Sequence, residues 1–414
     1  MDLIQYDCEN CEDMKLKEYK LGEIAEIVNG STPSTSCPHY YDGDIVWITP
    51  KDLSEQKAKY IKSGVRNITK EGFDSCSTHL IPEYNILLTS RAPIGLLAIN
   101  QVTCCTNQGF KNLIVNKDIV DVDYLYYYLK YHIAEIEALG TGTTFKEVSK
   151  ASIEKYAVSL PNLEEQKKVS SILSALDAKI SLNRQINQNL EALARQLYDY
   201  WFVQFDFPNE EGKPYKSSGG KMVYNPILKR EIPEGWEYLM VNNITNVVTG
   251  KEDANFSTPD GKYPFFTCSR EKLLCSKAAF NGKAILIAGN GDFNVKHYNG
   301  EFNAYQRTYV LIPEDEKYYG VLYLAATDKI DTFKKGANGS IVKFITKGDV
   351  ENIGVLGCNN DDLYATINNL ILQIENNDIE IASLTKQRDE LLPLLMNGQV
   401  NFDLLVWIVI FARK

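Results

Sequence analysis

Cysteine pairs are the first residues in this 414-residue chain whose spacing could support chemistry. Cys8 and Cys11 form a Cys-X-X-Cys pair, a spacing found in zinc and redox sites. No second pair with zinc spacing follows, and the odd total of nine cysteines fits reduced thiols in a cytoplasm. Cys104 and Cys105 are predicted to pack in a strand as small apolar side chains. The sequence therefore predicts no metal site.

The motifs that catalysis requires are also missing from the sequence. Asn225-Pro226-Ile227 is not the Asn/Asp-Pro-Pro-aromatic motif used to methylate bases. Gly289 and Gly291 lack the remaining spacing of a dinucleotide or S-adenosylmethionine loop, and no Gly-Lys-Ser/Thr phosphate loop occurs. We therefore expect no catalytic residue and no cofactor in this chain.

Composition and charge are ordinary for a globular protein, with 44% apolar and 24% charged residues. The net charge of −10 argues mildly against a protein coated in nucleic acid, although the distribution of charge decides binding. Residues 1–5 lack the features of a signal peptide. The longest apolar run, 404–411, has eight residues, far short of the roughly 20 that span a membrane. A membrane protein is therefore not expected.

The pattern of the chain repeats. Three segments have counterparts offset by 197 or 198 positions: 107–110 with 305–308, 124–126 with 321–323, and 142–145 with 339–342. Residues 23–30 also resemble 243–250. A repeat of this length predicts two copies of a whole domain with its helix. Copies that differ in their loops are typical of one scaffold that binds two targets.

Within each copy, short apolar stretches and turn signals predict an α+β domain. In the first copy, 44–49 and 85–89 are predicted as strands, 123–139 as a helix, and 153–160 as a further strand. The predicted divisions are a first recognition domain at 16–160, a first helix at 161–206, a linker at 207–234, a second recognition domain at 235–357, a second helix at 358–401, and a tail at 402–414.

Each long helix carries a heptad-like seam. The first seam is predicted at 169, 172, 176, 179, 183, 186, 190, 193, 197 and 200, and the second at 363, 367, 370, 374, 377, 381, 384, 388, 391 and 395. Eight of the ten positions in each seam are apolar or aromatic, and Lys179 and Asn183 are predicted to set the register. Two matched seams favour an antiparallel coiled coil with one domain at each end. The first seam is roughly 47 Å long, or about 14 base pairs of B-DNA.

In their order, several segments resemble the specificity subunits of type I restriction–modification systems. They are 30–34, 47–50, 89–95, 107–110, 142–146 and 160–166 in the first half, and 263–267, 288–294, 303–307 and 388–398 in the second half. Together they span about residues 16–401. No single segment is specific, but their order and its recurrence are.

The resemblance implies two target-recognition domains, each reading half of a split site in double-stranded DNA. It also implies that the two helices set the gap between the half-sites and dock two methyltransferase (M) subunits. Adenine methylation and ATP-driven cleavage would occur on these and on restriction (R) subunits. S-adenosylmethionine, ATP and Mg²⁺ are therefore expected on partner subunits.

DNA recognition uses donors on loops near strand ends, with Arg and Lys for phosphates and guanine and Asn and Gln for adenine. In the first domain these candidates are Thr49, Lys51, Arg91, Gln108, Lys111, Thr143, Thr144 and Lys146. In the second domain they are Arg270, Asn290, Asn294, Lys296, Gln306, Arg307 and Lys343. Each also has an alternative role as a solvated or loop-stabilising residue.

Two other functions are weighed against a DNA-reading scaffold. One is a non-catalytic adaptor whose domains bind only proteins, and the other is a self-contained restriction enzyme. The missing motifs disfavour the enzyme. A DNA reader should lose affinity steeply with salt and prefer one split sequence, whereas an adaptor should do neither.

Overall fold

The computed structural model describes residues 15–56, 58–142, 146–336 and 344–398. The chain forms two compact units. The first unit combines the chain up to Leu182 with the chain from Ile381 onward, and the second unit runs from Asn183 to Glu380. Each unit therefore contains one strand-rich domain together with parts of both long helices. This division cuts across the predicted one, in which each long helix is a separate region.

Short strands and helices build the domain of the first unit. Its strands are β1 (Lys17–Lys20), β2 (Ala25–Asn29), β3 (Tyr41–Ile48), β4 (Tyr60–Ile61), β5 (Arg66–Ile68), β6 (Ile86–Ser90), β7 (Ile94–Asn100), β8 (Cys105–Thr106), β9 (Lys111–Val115) and β10 (Ala157–Leu160). Its helices are α1 (Leu21–Ile24), α2 (Pro50–Glu55), α3 (Lys70–Asp74), α4 (Val122–Tyr131), α5 (Ile133–Ala138) and α6 (Lys150–Lys155), with a 3-10 turn at Pro38–Tyr40. The first long helix is α7 (Leu163–Tyr198), and a π-helical turn follows at Asp199–Val203.

Among the described residues, the second domain has as many strands as the first but fewer helices. Its strands are β11 (Met222–Asn225), β12 (Arg230–Pro233), β13 (Glu237–Met240), β14 (Val248–Thr249), β15 (Tyr263–Phe266), β16 (Lys272–Cys275), β17 (Phe280–Ala288), β18 (Val295–Ala304), β19 (Thr308–Leu311) and β20 (Gly354–Gly357). Its helices are α8 (Tyr319–Gly336) and α9 (Lys347–Glu351), with 3-10 turns at Val241–Asn243, Ala254–Phe256 and Glu316–Tyr318. The second long helix is α10 (Asp361–Met396).

The order of the strands confirms the internal repeat. The first domain has the orders β2-β9-β6-β7-β4 and β5-β3-β8, and the second has the single order β14-β19-β17-β18-β15-β16. In the first domain β3 pairs in parallel with β8, which precedes the segment 107–110. In the second domain β15 pairs in parallel with the end of β18, which precedes the segment 305–308. The pairs β1–β10 and β13–β20 are also equivalent. The strands that form two sheets in the first domain form one sheet in the second, because β18 is ten residues long and continuous.

A separate apolar core lies in each unit, and each core includes residues of both long helices. In the first unit Val169 and Leu173 of α7 belong to the same buried cluster as Leu392 and Leu395 of α10. In the second unit Ala194 of α7 clusters with residues of the amino-terminal part of α10, namely Leu363, Ile367 and Ile374. Early residues of one helix therefore meet late residues of the other in both units, which confirms antiparallel pairing. Each buried Leu or Ile side chain contributes roughly 1.5–3 kcal/mol.

The predicted seam of α10 is confirmed, since every one of its positions is buried or half-buried. The predicted seam of α7 is only half correct. Positions 169, 176, 183, 190 and 197 face inward, but the intervening positions are 173, 180, 187 and 194, one residue later than predicted. Ile186 and Leu193 are instead 38% and 50% exposed. Both alternatives are apolar at 172/173 and 193/194, while only the later residue is apolar at 179/180 and only the earlier one at 186/187, so the apolar pattern did not give one consistent register.

Polar side chains of both long helices meet in the second unit. Asn377 donates a hydrogen bond to Asn187 (2.7 Å), and the Asn187 amide donates to Asp378 (2.8 Å). Asn183 is 1% exposed and donates to Glu380 (2.7 Å). The prediction that Asn183 lies in the seam is confirmed, whereas Lys179 lies on the exposed side of α7.

Hydrogen bonds also attach each domain to its long helices. In the first unit the Tyr127 hydroxyl donates to Asp177 of α7 (2.6 Å), and Arg388 of α10 donates to the same carboxylate (2.7 Å). In the second unit the Tyr319 hydroxyl donates to Glu375 of α10, which also pairs with His297 at 2.9 Å. Asp177 and Glu375 are 198 positions apart, the offset of the sequence repeat.

Three local predictions need correction. The predicted helix at 123–139 is interrupted at His132, whose φ of −92° and ψ of 18° separate α4 from α5. The predicted strand at 153–160 begins as helix α6, because Ser149 caps that helix by accepting from the Ser152 amide. The predicted linker at 207–234 contains the hairpin β11–β12 and a stack of Phe207 between Trp201 and Tyr215. Aromatic stacking holds this segment without the periodicity on which the prediction relied.

Candidate nucleic-acid interface

Three loops at strand ends lie together in the second unit, and we call them the second loop cluster: 267–271 after β15, 289–294 between β17 and β18, and 305–307 before β19. Backbone hydrogen bonds connect them. The Gly289 amide donates to the Arg307 carbonyl (2.9 Å), and the Tyr305 amide donates to the Phe266 carbonyl (2.9 Å). The cluster contains or adjoins most of the donors predicted in this domain.

The equivalent loops of the first unit form the first loop cluster: 49–52, 90–93, 107–110 and 146–148. The Asn107 amide donates to the Ile48 carbonyl (3.1 Å), and the Ser90 amide donates to the Gly109 carbonyl (2.7 Å). The second of these bonds corresponds to the one between Gly289 and Arg307. The two domains therefore share a backbone frame at the loops, as the repeat predicted.

A glycine packs closely against the backbone of each loop cluster. A Cβ atom on Gly30 would lie 2.0 Å from the Asn107 carbonyl oxygen, and one on Gly250 would lie 1.9 Å from the Ala304 carbonyl oxygen. Either distance is impossible for a real side chain, so both positions require glycine. These glycines end the matching segments 23–30 and 243–250. Close backbone packing explains this part of the sequence repeat.

Several donors of the first cluster also have local structural roles. Thr49 is the N-cap of α2, and its hydroxyl donates to Asp52 (2.6 Å). Gln108 is exposed and accepts from the Thr32 hydroxyl. The Lys51 side chain is 76% exposed and lies 3.6 Å from Glu55. Gln108 and Lys51 therefore face solvent, whereas Thr49 is engaged in starting a helix.

Glu147 connects two predicted cations of the first cluster. Its carboxylate lies 3.0 Å from the Lys111 ammonium and 3.6 Å from the Arg91 guanidinium. The Lys111 side chain is only 9% exposed and its ammonium also donates to Ser90 (3.3 Å), so Lys111 supports the loops from beneath. Lys146, next to Glu147, is exposed. Arg91 and Lys146 are thus the more accessible cations of this cluster.

The second cluster has a similar arrangement of donors and acids. The Arg270 Nε donates to Asp292 (2.5 Å) in the neighbouring loop. Asn294 is 6% exposed, and its amide donates to the carbonyls of Cys268 (2.8 Å) and Asp292 (2.5 Å). The Asn294 side-chain oxygen is buried without a partner among the residues that the structure describes. Arg270 is accessible, whereas Asn294 holds two loops together.

The remaining donors of the second unit differ in exposure. Lys296 is half-buried and donates to the Thr267 carbonyl (2.8 Å). Gln306 is exposed and donates to Asp253 (2.7 Å). Arg307 is exposed, and Asn290 is half-buried beside a backbone bridge to Phe344. The predicted residues Thr143, Thr144 and Lys343 lie outside the described residues.

The charge of Lys296 depends on its surroundings. Burial lowers the pKa of its ammonium to about 8; Cys268 acts to raise this pKa, Arg270 to lower it and Asp292 to raise it. A lysine in this range changes its charge near physiological pH. The electrostatics of the second cluster are therefore sensitive to mild alkali.

Sequence reasoning missed the acidic partners Glu147, Asp292 and Asp253. Donors can be recognised from residue type, but each of these carboxylates comes from a different loop from its partner and is identified only by the fold. No motif in the sequence marks them. The only sign of such an acidic partner in the sequence is a polar loop with neighbouring residues of opposite charge, as at 146–147.

Within 15–56, 58–142, 146–336 and 344–398, no group of three or more His, Cys, Asp or Glu side chains could hold a metal ion. Over the same ranges, no helix is both long and apolar enough to cross a bilayer.

Comparison with known proteins identifies this repeated architecture. The family described as Type I restriction modification DNA specificity domain matches residues 14–192 and 233–356. The chain belongs to this family. A relative, the type I restriction enzyme MjaIX specificity subunit of Methanocaldococcus jannaschii, is 32% identical over 93% of both chains. The EcoDI specificity subunit of Escherichia coli is 34% identical over 41% of this chain and 40% of that protein.

Solved structures support the same fold. The crystal structure of the type I restriction–modification S subunit from M. genitalium matches with a TM-score of 0.61 and 16% identity. The match covers 93% of this chain and 96% of that chain. The α+β fold with two recognition domains on paired long helices is therefore confirmed.

As a type I specificity subunit, the chain functions in DNA sequence recognition, together with the other subunits of its restriction–modification system. Specificity subunits are the non-catalytic members of these systems. The hypothesis of a DNA-reading scaffold is thus confirmed in preference to a purely protein-binding adaptor.

Proposed function

We propose that each unit reads one half of a bipartite site in double-stranded DNA through its loop cluster. The observation that carries the proposal is the recurrence of one backbone frame with different donors on it. Arg91, Gln108 and Lys146 are accessible in the first cluster, and Arg270, Gln306 and Arg307 in the second. A shared frame with different side chains suits two half-sites of different sequence.

We further propose that α7 and α10 dock two methyltransferase subunits, to which restriction subunits are added. Apolar side chains on the outer faces of these helices support this role. In the second unit Ile186, Leu193 and Ile379 are 38%, 50% and 64% exposed. Exposed apolar residues on paired helices are typical of a protein-binding surface.

Chemistry is then assigned to the partner subunits. S-adenosylmethionine would supply the methyl group, and ATP and Mg²⁺ would support cleavage, all of them bound by the methyltransferase and restriction subunits. The complex would act in the cytoplasm, where bacterial and archaeal DNA lies.

The direct test is to co-express the chain with its neighbouring methyltransferase gene and to map N6-methyladenine across the host genome. One motif with two short half-sites and a fixed gap of unspecified bases is the expected result. A soluble complex that adds no methylated motif would contradict the proposal.

A single charge reversal tests the loop assignment. Arg307→Glu should weaken DNA binding at least about tenfold, because a charge-assisted hydrogen bond is worth roughly 1.5–3 kcal/mol and the new carboxylate repels phosphate. Lys229→Glu, the same charge reversal at another exposed position, in the β11–β12 turn, is the matched control and should have little effect. Equal affinities of the two variants in fluorescence titrations would argue against the assignment.

A further inference from the structure

The pair formed by Arg270 and Asp292 has a geometry that distinguishes it from the other charged pairs of the loop clusters. The contact runs from Arg270 Nε to Asp292 Oδ2 at 2.5 Å, and the two side chains are 69% and 55% exposed. Among the described residues, no further hydrogen bond engages the terminal Nη groups of Arg270. The guanidinium is thus held along one edge while its terminal fork remains available.

An arginine fork of this kind matches a guanine. Two parallel N–H donors reach O6 and N7 on the major-groove edge, which is the commonest base-specific contact in protein–DNA complexes. Holding the guanidinium in advance reduces the side-chain entropy lost on binding. A carboxylate beside it also disfavours the use of the same arginine against a phosphate, because the two anions repel.

The neighbouring cations are less suited to reading a base. Arg91 directs a terminal nitrogen, Nη1, towards Glu147 at 3.6 Å. Lys296 donates inward to the Thr267 carbonyl. Arg307 is exposed and forms no ion pair with the described residues, which suits a phosphate contact.

The surroundings of the pair fix its position in the second loop cluster. Arg270 belongs to the loop after β15, and Asp292 belongs to the loop between β17 and β18. The Asn294 amide donates to the carbonyls of both Cys268 and Asp292, so the two loops are joined beside the ion pair. The loop that carries Arg270 is therefore held in place by hydrogen bonds to the neighbouring loop.

We propose that Arg270, oriented by Asp292, reads a guanine in the half-site contacted by the second unit. The proposal rests on the proposed function of the loop clusters and adds to it one base of the target. Arg270 is the specificity-determining residue, and Asp292 is a positioning residue that acts through it.

The test uses the complex of the full chain with its methyltransferase subunit. After the wild-type motif is mapped, duplexes carrying each of the four base pairs at each position of the second half-site compete for binding. Arg270→Lys should lower the preference for one G·C pair by about tenfold to a hundredfold. The salt dependence of binding should remain unchanged, because the variant keeps the positive charge.

Asp292→Asn should weaken the preference at the same position and raise the affinity for unrelated DNA. A matched control is available in the same unit. Lys221 and Glu234 also form a 2.5 Å pair with side chains 72% and 51% exposed. Glu234→Gln removes the same charge away from the loops and should leave base preference and affinity unchanged.

Failure of the proposed function and failure of this inference alone would give different results. A wild-type complex that methylates no bipartite motif would overturn both the proposed function and this inference. A bipartite motif whose second half-site has no G·C pair would overturn the inference alone. So would an Arg270→Lys complex with an unaltered base preference at every position.

Discussion

Carboxylates accompany the cationic donors at the level of single residues. Glu147 lies beside Arg91 and Lys111, and Asp292 lies beside Arg270. The two more exposed pairs, Arg91 with Glu147 and Arg270 with Asp292, add little to folding stability, typically below about 1 kcal/mol. We expect a larger effect on DNA binding, since under the proposed function each acid shares its partner with a phosphate or a base. The net charge of −10 is thus compatible with DNA recognition.

We expect Lys296 to give DNA binding by the second loop cluster a dependence on pH. Its pKa is lowered to about 8, so the free protein loses this charge as the pH rises through that value. Nearby phosphates favour the ammonium, so DNA binding should take up a proton, and affinity should fall at least about threefold between pH 7 and pH 9.5.

Lys296→Arg is the comparison, because arginine stays charged over this range. Fluorescence titrations at constant ionic strength should give a flatter pH profile for the variant. Identical profiles for the two proteins would show that another group is responsible.

Sequence reasoning located several candidate donors on loops but did not find their partners. Arg270 and Arg307 were identified as loop donors, and the structure places both in exposed loops. Lys111 was identified by the same reasoning, but its ammonium is buried against Glu147, 36 positions later in the chain. Burial and ion pairing depend on loops that meet only in the folded chain.

At the scale of elements, the duplication of the domain and the antiparallel helix pairing followed from the sequence, whereas the strand order did not. The seam of α7 was displaced by one residue at alternate positions because Asn187 and Ala194, not Ile186 and Leu193, face inward. A polar residue in a seam is unexpected from apolar periodicity, and the Asn187 site is explained by its hydrogen bonds to α10. Contacts with a second helix determined this register.

The Asn187–Asn377 bond allows a stability test. Asn187→Leu alone should cost about 1–3 kcal/mol, since the Asn377 amide loses its acceptor and the Asp378 carboxylate loses a donor. Asn187→Leu combined with Asn377→Leu should recover the part of that loss that comes from the unpaired Asn377 amide, because both members of the asparagine pair become apolar, whereas Asp378 still lacks its donor. Urea unfolding of the two variants provides the measurement.

Asn189→Leu is the control for this pair of variants, since Asn189 is exposed two positions away on the same helix. It should change the free energy of unfolding by less than about 0.5 kcal/mol. A double variant as unstable as the single one would show that the asparagine bond does not account for the cost.

The glycine beneath the second cluster provides another test. Gly250→Ala should displace the 305–307 loop, because its Cβ would lie 1.9 Å from the Ala304 carbonyl oxygen. We expect a loss of several kcal/mol in stability together with weaker DNA binding. Gly348→Ala, in α9, has no atom closer than 3.8 Å and should be neutral or stabilising. Thermal unfolding that ranks the two variants equally would contradict the packing argument.

For the whole molecule, the first unit depends on residues from the far end of the chain. Arg388 and Asp177 form a pair with side chains 15% and 12% exposed, and Tyr127 donates to the same carboxylate. Arg388→Ala should therefore destabilise the first unit by about 3–5 kcal/mol, because it leaves a half-buried carboxylate without its cation.

Lys386→Ala is the matched control, since Lys386 pairs with Glu390 on the surface of the same helix, with side chains 76% and 65% exposed. It should cost less than about 1 kcal/mol. Hydrogen exchange, read separately for each unit, should show faster exchange in the first unit of Arg388→Ala only. Equal acceleration in the second unit would mean that the two units unfold together.

The discontinuity of the first unit has a consequence for its synthesis. Residues 183–380 separate the two pieces of that unit. At about 5–20 residues per second, a ribosome needs roughly 10–40 seconds to translate the intervening 198 residues. During that time Val169 and Leu173 lack the side chains of Leu392 and Leu395 that share their core. The second unit can finish folding in the interval, so the unit whose synthesis begins first is completed last.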